Sequence, residues 1–100
     1  MKNHKVKCFT KQFQPIVDGI KRSDIRLDDR GYQIGDTITY QEGQSEIDGF
    51  KYTGREVSCR ISYIDDFGCQ IGYLNLSLSQ VGLLLVGCEE EPEFLKEQAL

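Results

Sequence analysis

The sequence predicts a small single-domain α+β fold or small β-barrel, with several short strands and one or two short helices. Three observations carry that expectation. One hundred residues hold one ordinary core and no second one. Several stretches alternate apolar and polar residues at the period of a strand, whereas one clear stretch carries a helical stripe. Apolar residues at 39% and charged residues at 28% are ordinary globular composition.

Along the chain, Val6 and Cys8 alternate with Lys5 and Lys7, which marks residues 4–9 as a half-buried strand. Phe13, Ile16, Val17 and Ile20 then fall on one helical face, with Thr10 as N-cap and Gly19 as the stop. Pro15 is tolerated only near a first turn, so the helix is expected to start late and be short. Asp24-Ile25-Arg26-Leu27 reads as a strand with Ile25 and Leu27 inward. Asp28-Asp29-Arg30-Gly31 is turn chemistry, and Thr37 to Tyr40 alternate again. The polar, glycine-bearing residues 41–54 read as a surface loop able to be functional. Val57, Cys59, Ile61 and Tyr63 then alternate with Glu56, Ser58, Arg60 and Ser62, whose face is expected to be solvated. Leu74, Leu76 and Leu78 repeat the pattern, and Leu83 to Val86 supply one more buried strand. A doubly wound sheet does not fit, because one helical pattern precedes a run of strands.

Charge is divided unevenly. The net charge is −4, yet residues 1–88 carry 11 basic and 11 acidic side chains, so the excess lies in an acidic tail over residues 89–100. The boundary between domain and tail is accordingly set at residue 88. Pro92 to Leu95 fit the start of a terminal helix or an unstructured end equally well. A neutral body can still present a local basic cleft, although it will not coat duplexes through bulk charge. No apolar run approaches the ~20 residues of a membrane span, and no apolar segment follows Lys2, Lys5 and Lys7 as a secretory signal requires. A cytoplasmic location is the expectation.

Cys8, Cys59, Cys69 and Cys88 form no C-x-x-C pair, and His4 is the lone histidine, so no metal site and no cofactor are expected. Counting leaves a two-disulfide framework open, while the strand positions of Cys8 and Cys59 favour free thiols. His4 is read as structural. Phosphate-cradling glycine loops and a Ser-His-Asp arrangement are absent.

The densest chemistry is Gly19-Ile20-Lys21-Arg22-Ser23-Asp24-Ile25-Arg26, followed by Asp29-Arg30. Lys21 lies just past a helix end, and Asp24 and Arg26 share one strand face. Cations around one carboxylate suit an anionic or hydrogen-bonding ligand; a solvated salt-bridge network is the plain alternative. Tyr52, beside Gly54 and Arg55, is placed to stack on a base or simply to pack on the surface.

The run Gly-x-Lys-x-x-Asp-x-Arg over residues 19–26 resembles the signature of ASCH domains, which have glutamate where Asp24 stands. Asp29-Arg30, Gly35-Asp36, Tyr52-Thr53-Gly54-Arg55 and Gly72-Tyr73 resemble the phage and bacterial branch of that superfamily, as do His4 and Lys7. The likeness runs from about His4 to Leu78. It implies a PUA-like barrel with a cleft beside its first helix, binding RNA or a modified nucleoside. It nominates Lys21, Asp24 and Arg26 as cleft residues, with Arg30 and Arg55 beside them.

Three functions follow as expectations. The first is an RNA- or nucleotide-binding module in which Lys21, Arg26 and Arg30 contact phosphate or base edges and Asp24 orients them or accepts from a base. The second is an amidohydrolase of N-acylated cytidine, with Lys21 as the catalytic residue. The superfamily's second branch resembles a lysine, threonine and glutamate acting together, but here Asp24 stands at the threonine position and Ser23 is one residue early. Glu56 is the nearest glutamate. The third is a phage-encoded module that binds a protein partner through the acidic tail.

Overall fold

A computed structural model describes residues 1–85. Its elements are β1 (Asn3–Phe9), α1 (Thr10–Val17), β2 (Ser23–Leu27), β3 (Thr37–Glu46), β4 (Gly49–Asp65) and β5 (Tyr73–Leu85). The five strands make one mixed sheet in the order β1-β3-β4-β5-β2. β1 runs parallel to β3, and every other pairing is antiparallel. The α+β class of the sequence reading therefore stands, with one helix among the described residues. The acidic tail, with the helix or unstructured end expected at Pro92 to Leu95, and Val86 and Cys88 lie outside the described residues.

The sheet is open, not a closed barrel: β1 and β2 are its two edges and share no ladder. Side chains bridge them instead. The Arg30 guanidinium, just beyond β2, donates to the Lys5 carbonyl of β1 at 2.9 Å. Tyr40 of β3 reaches Asp24 of β2 at 2.7 Å. The curled sheet encloses a core of Val6, Cys8, Tyr32, Ile38, Tyr40, Val57, Cys59, Ile61, Leu76 and Leu78, onto which α1 packs Phe13 and Ile16. Burying each such side chain contributes roughly 1.5–3 kcal/mol.

Helix α1 begins where β1 ends. Phe9 occupies the N-cap and no side chain caps the helix, so Thr10 is its first residue and not its cap. Pro15 lies inside the helix and removes one backbone donor. Its carbonyl is well used, accepting from the N–H groups of both Ile20 and Lys21 at 3.0 Å. Gly19, at φ 73°, makes that reversal possible in the left-handed region. The hook leaves Ile20 exposed, off the expected stripe, and fixes Lys21 beside the helix end.

Four expectations are corrected by pairing. In β2 it is Asp24 and Arg26 that face inward, while Ile25 and Leu27 are 62% and 50% exposed. The register decides this. Asp24 lies opposite the buried Leu76 and Arg26 opposite Leu74, and directly opposed residues share a face. Residues 41–54 are not a loop: β3 and β4 continue through them, flanked by β1 as far as Gly43 and beyond it as a two-stranded arm, to a tight turn between Glu46 and Gly49. The arm is polar because water reaches most of it. Thr37 and Thr39 are as buried as Ile38 and Tyr40, and so is Ser58. Asn3 accepts from Thr37 at 2.6 Å and Thr39 at 3.1 Å, and Thr39 and Ser58 share a 2.7 Å bond, which satisfies that second face. Finally, irregular pairing between Ile61 and Tyr63 turns Tyr63 outward. Of the buried strand expected over 83–86, residues 83–85 are the end of β5, where Leu83 is 46% exposed; Val86 lies outside the described residues.

His4 is structural, as read. It is buried, bonds Asp36 at 2.8 Å and packs its ring, tilted, 4.7 Å from that of Tyr32, tying β1 to the Gly35-Asp36 turn. Cys8, Cys59 and Cys69 are free thiols. Burial pushes the Cys8 thiol up to about 11 and the Cys59 thiol up to about 12, so both sit as small hydrophobes.

Candidate functional site

A cavity of about 270 Å³ opens between the two sheet edges, beneath α1. Lys7, Cys8 and Phe9 of β1 form one wall, Gln12 and Ile16 of α1 the roof, and Lys21, Asp24 and Arg26 the other wall, with Tyr40 beneath. The three residues of the Gly-x-Lys-x-x-Asp-x-Arg run therefore meet in one place. They do so because the Pro15 hook positions Lys21 and the β2 register turns Asp24 and Arg26 inward.

Asp24 organises the cleft. Its Oδ2 accepts from Tyr40 Oη at 2.7 Å and from Arg26 Nη1 at 3.1 Å. Its Oδ1 accepts no hydrogen bond among the described residues, so one acceptor remains for a ligand. Burial pushes the Tyr40 phenol far up, and the Asp24 charge adds to that, so the phenol stays a fixed donor. Burial works to lower the Arg26 guanidinium, but Asp24 beside it outweighs that and holds it firmly charged. The Lys21 ammonium has no acidic partner within 4.0 Å among the described residues. Three cations, Lys7, Lys21 and Arg26, and one carboxylate, Asp24, thus line the cleft, which leaves it net positive. Among the described residues no three His, Cys, Asp or Glu side chains converge as a metal site would require.

Tyr52, Arg55 and Arg30 lie elsewhere. Tyr52 and Arg55 line a second cavity of about 390 Å³ with Gln41, Thr53, Gly54 and Glu56. Arg55 is occupied there by structure: its Nε and Nη2 grip both oxygens of the buried Glu42 at 2.8 Å, and its guanidinium lies 4.9 Å over the Phe13 ring. Thr53 donates to the same carboxylate at 2.6 Å. Gly43 pairs with Tyr52 and Gln41 with Glu56, so Thr53-Gly54-Arg55 is a bulge opposite Glu42, with Gly54 at φ 94°. The Tyr-Thr-Gly-Arg motif is thus a device for burying a carboxylate. Arg30 lines a third recess with Ile25, Arg26, Leu27, Asp29 and Tyr73, and Arg26 is the wall it shares with the first.

The sequence reading missed Lys7, Phe9, Gln12 and Tyr40. Tyr40 carried a usable signal, because a buried phenol needs a partner. Lys7 and Phe9 carried none, since nothing local says that β1 is a sheet edge facing β2.

Two acids hold the fold from outside the cleft. The Arg55 bonds, with those from Thr53 and Thr10, hold Glu42 below the usual carboxylate range despite burial. Burial would raise Asp36, but bonds from His4 and from the Lys2 and Gln33 N–H groups outweigh it and lower the carboxyl. Acids lowered by folding stabilise the protein above the unfolded-state value, and that stability fades as pH falls through the folded one. The urea midpoint is therefore expected to stay level down to about pH 5 and fall below it. The gap between wild type and Glu42→Gln should narrow as the solution is acidified. A gap that is constant or widens would show that the Glu42 charge is not what Arg55 and Thr53 stabilise.

No helix among the described residues is long and apolar enough to cross a membrane. The family described as "Domain of unknown function (DUF3850)" matches residues 3–78, which include every residue of the cleft. A protein of Escherichia phage P2, named "Uncharacterized 12.9 kDa protein in GpA 3'region", is 37% identical over 65 residues, covering 65% of this chain. The chain spans 56% of that relative's length. With most of its length matched, the chain belongs to the DUF3850 family.

Proposed function

We propose that the cleft between β1, α1 and β2 binds RNA, or a nucleotide-like group of it, through phosphate and base-edge contacts. One observation carries the reading. An ammonium with no acidic partner among the described residues, Lys21, and a guanidinium, Arg26, line one cleft with the Asp24 carboxylate, whose Oδ2 is held by Tyr40 and Arg26 while Oδ1 is left open. Such a set takes an anionic oxygen on the cations and an amino or N–H group of a base on Asp24. The volume lies just below the ~300–1,000 Å³ of ordinary small-molecule pockets, which suits one nucleotide and excludes a duplex. Unpaired bases are also what most RNA-binding modules read. We read the curled sheet with its cleft under the first helix as an ASCH-like, PUA-like arrangement left open between its edges.

The hydrolase alternative finds less support. Ser23 is exposed and does not line the cleft, where Tyr40 supplies the hydroxyl. The protein-partner alternative rests on a tail outside the described residues.

The test compares wild type with Lys21→Ala/Arg26→Ala by fluorescence anisotropy on single-stranded and structured RNAs at two salt concentrations. Micromolar binding with a shallow salt slope is expected, weakened at least tenfold in the double variant, whose fold circular dichroism should show intact. Equal binding by both proteins would remove the cleft from consideration. Release of acid from N-acylated cytidine, lost in Lys21→Ala, would favour the hydrolase.

A further inference from the structure

The cleft does not end at Phe9. Its ring is 52% exposed and lies 5.8 Å from Phe50, which in turn lies 5.0 Å from the 54% exposed Tyr52. Phe9 is at the end of β1 and the other two are on β4, with β3 between them. Gly43 of β3 is what lets the rings meet. It pairs with Phe9 on one side and Tyr52 on the other. A Cβ there would collide with Phe50 Cε2, so Phe50 lies directly over the glycine. Lys7 of the cleft wall holds its ammonium 5.4 Å above the Phe50 ring. At the far end Tyr52 borders the second cavity, where the Gln41 amide donates to Glu56 at 3.0 Å.

Two recesses that carry polar side chains are thus joined by an aromatic strip with a cation over it. Solvent-facing aromatic rings in a row, with a lysine alongside, match the stacking platforms that hold unpaired bases while cations follow the backbone. A protein partner would be served by an apolar patch, but a lysine on the ring and a Gln–Glu pair at its end match base edges and phosphate better. We propose that Phe9, Phe50 and Tyr52 form a base-stacking track that extends the cleft, so that the ligand is single-stranded RNA of at least two nucleotides. One nucleotide sits in the Lys21–Asp24–Arg26 cleft, and a neighbouring base stacks toward Tyr52, its edge facing Gln41 and Glu56. The proposal rests on the reading that the cleft itself binds RNA.

Affinity should be measured by titration calorimetry for uridine monophosphate and for oligouridylates of two, three and four residues. Wild type is compared with Tyr52→Ala, an exposed position outside the cleft where truncation spares the core. Wild-type affinity should rise about tenfold or more from monomer to trimer, the scale of one stacked base. The ring variant should bind the monomer as wild type does and lose the rise. A wild-type affinity independent of length, or a rise that survives in the variant, overturns the track while leaving the cleft reading intact. Tighter binding of a duplex of the same length also overturns it. No binding of any of these ligands overturns both.

Discussion

Phe13→Ala is expected to lower unfolding free energy by about 3–5 kcal/mol, a large part of the ~5–15 kcal/mol that holds a domain of this size. The ring is fully buried beneath α1 and also lies under the Arg55 guanidinium. Its removal leaves a cavity and strips Arg55 of one of the surfaces that orient it toward Glu42. The melting temperature should fall by about 12 °C or more. Phe67→Ala offers the control. Phe67 is 91% exposed, and its loss should change stability by less than ~0.5 kcal/mol. Thermal melts of the two variants check the pair. Similar shifts in both would mean that α1 does not pack on the sheet as described.

Gly43→Ala should have the second largest effect. The new Cβ would stand 2.5 Å from the Lys51 carbonyl oxygen and closer still to the Phe50 ring. Phe50 can swing away, but the Lys51 carbonyl belongs to the paired strand, so the β3–β4 arm must shift or open. Overpacking of this kind costs about 1–3 kcal/mol. The same change evicts Phe50 from between Phe9 and Tyr52. Gly43→Ala should therefore lower the urea midpoint and weaken oligonucleotide binding together. Gly49→Ala is a useful contrast: it meets no neighbour, and its φ of 122° alone strains it. A neutral Gly43→Ala would show that the arm has room that the structure denies.

The helix, the strands and the Lys21–Asp24–Arg26 set were legible in the sequence because each rests on local spacing. What was not legible rests on pairing. Asp24 and Arg26 share a face whichever way β2 is turned, but that this face is the inner one depends on Leu76 lying opposite Asp24 in a strand some fifty residues away. Ser58 read as solvent-facing because it is the polar member of an alternation; its partner is the Thr39 hydroxyl of the neighbouring strand. The arm over residues 41–54 read as a loop because an exposed ladder needs no apolar pattern. Arg55 read as a ligand contact because an arginine in a glycine-bearing motif gives no hint of a buried carboxylate across the sheet. The bent edge-to-edge geometry that makes the cleft is likewise a property of the whole sheet, and no segment of it announces that β1 and β2 face each other.

The most direct test of the cleft is an NMR titration of the labelled protein with a short single-stranded RNA. The account predicts that shifts concentrate on Lys7, Cys8, Gln12, Lys21, Asp24, Arg26 and Tyr40, the residues that line one cavity from four different elements and the α1–β2 turn. Shifts confined to the opposite side of the sheet, around Asn3, Thr39 and Ser58, with the cleft resonances unmoved, would contradict it.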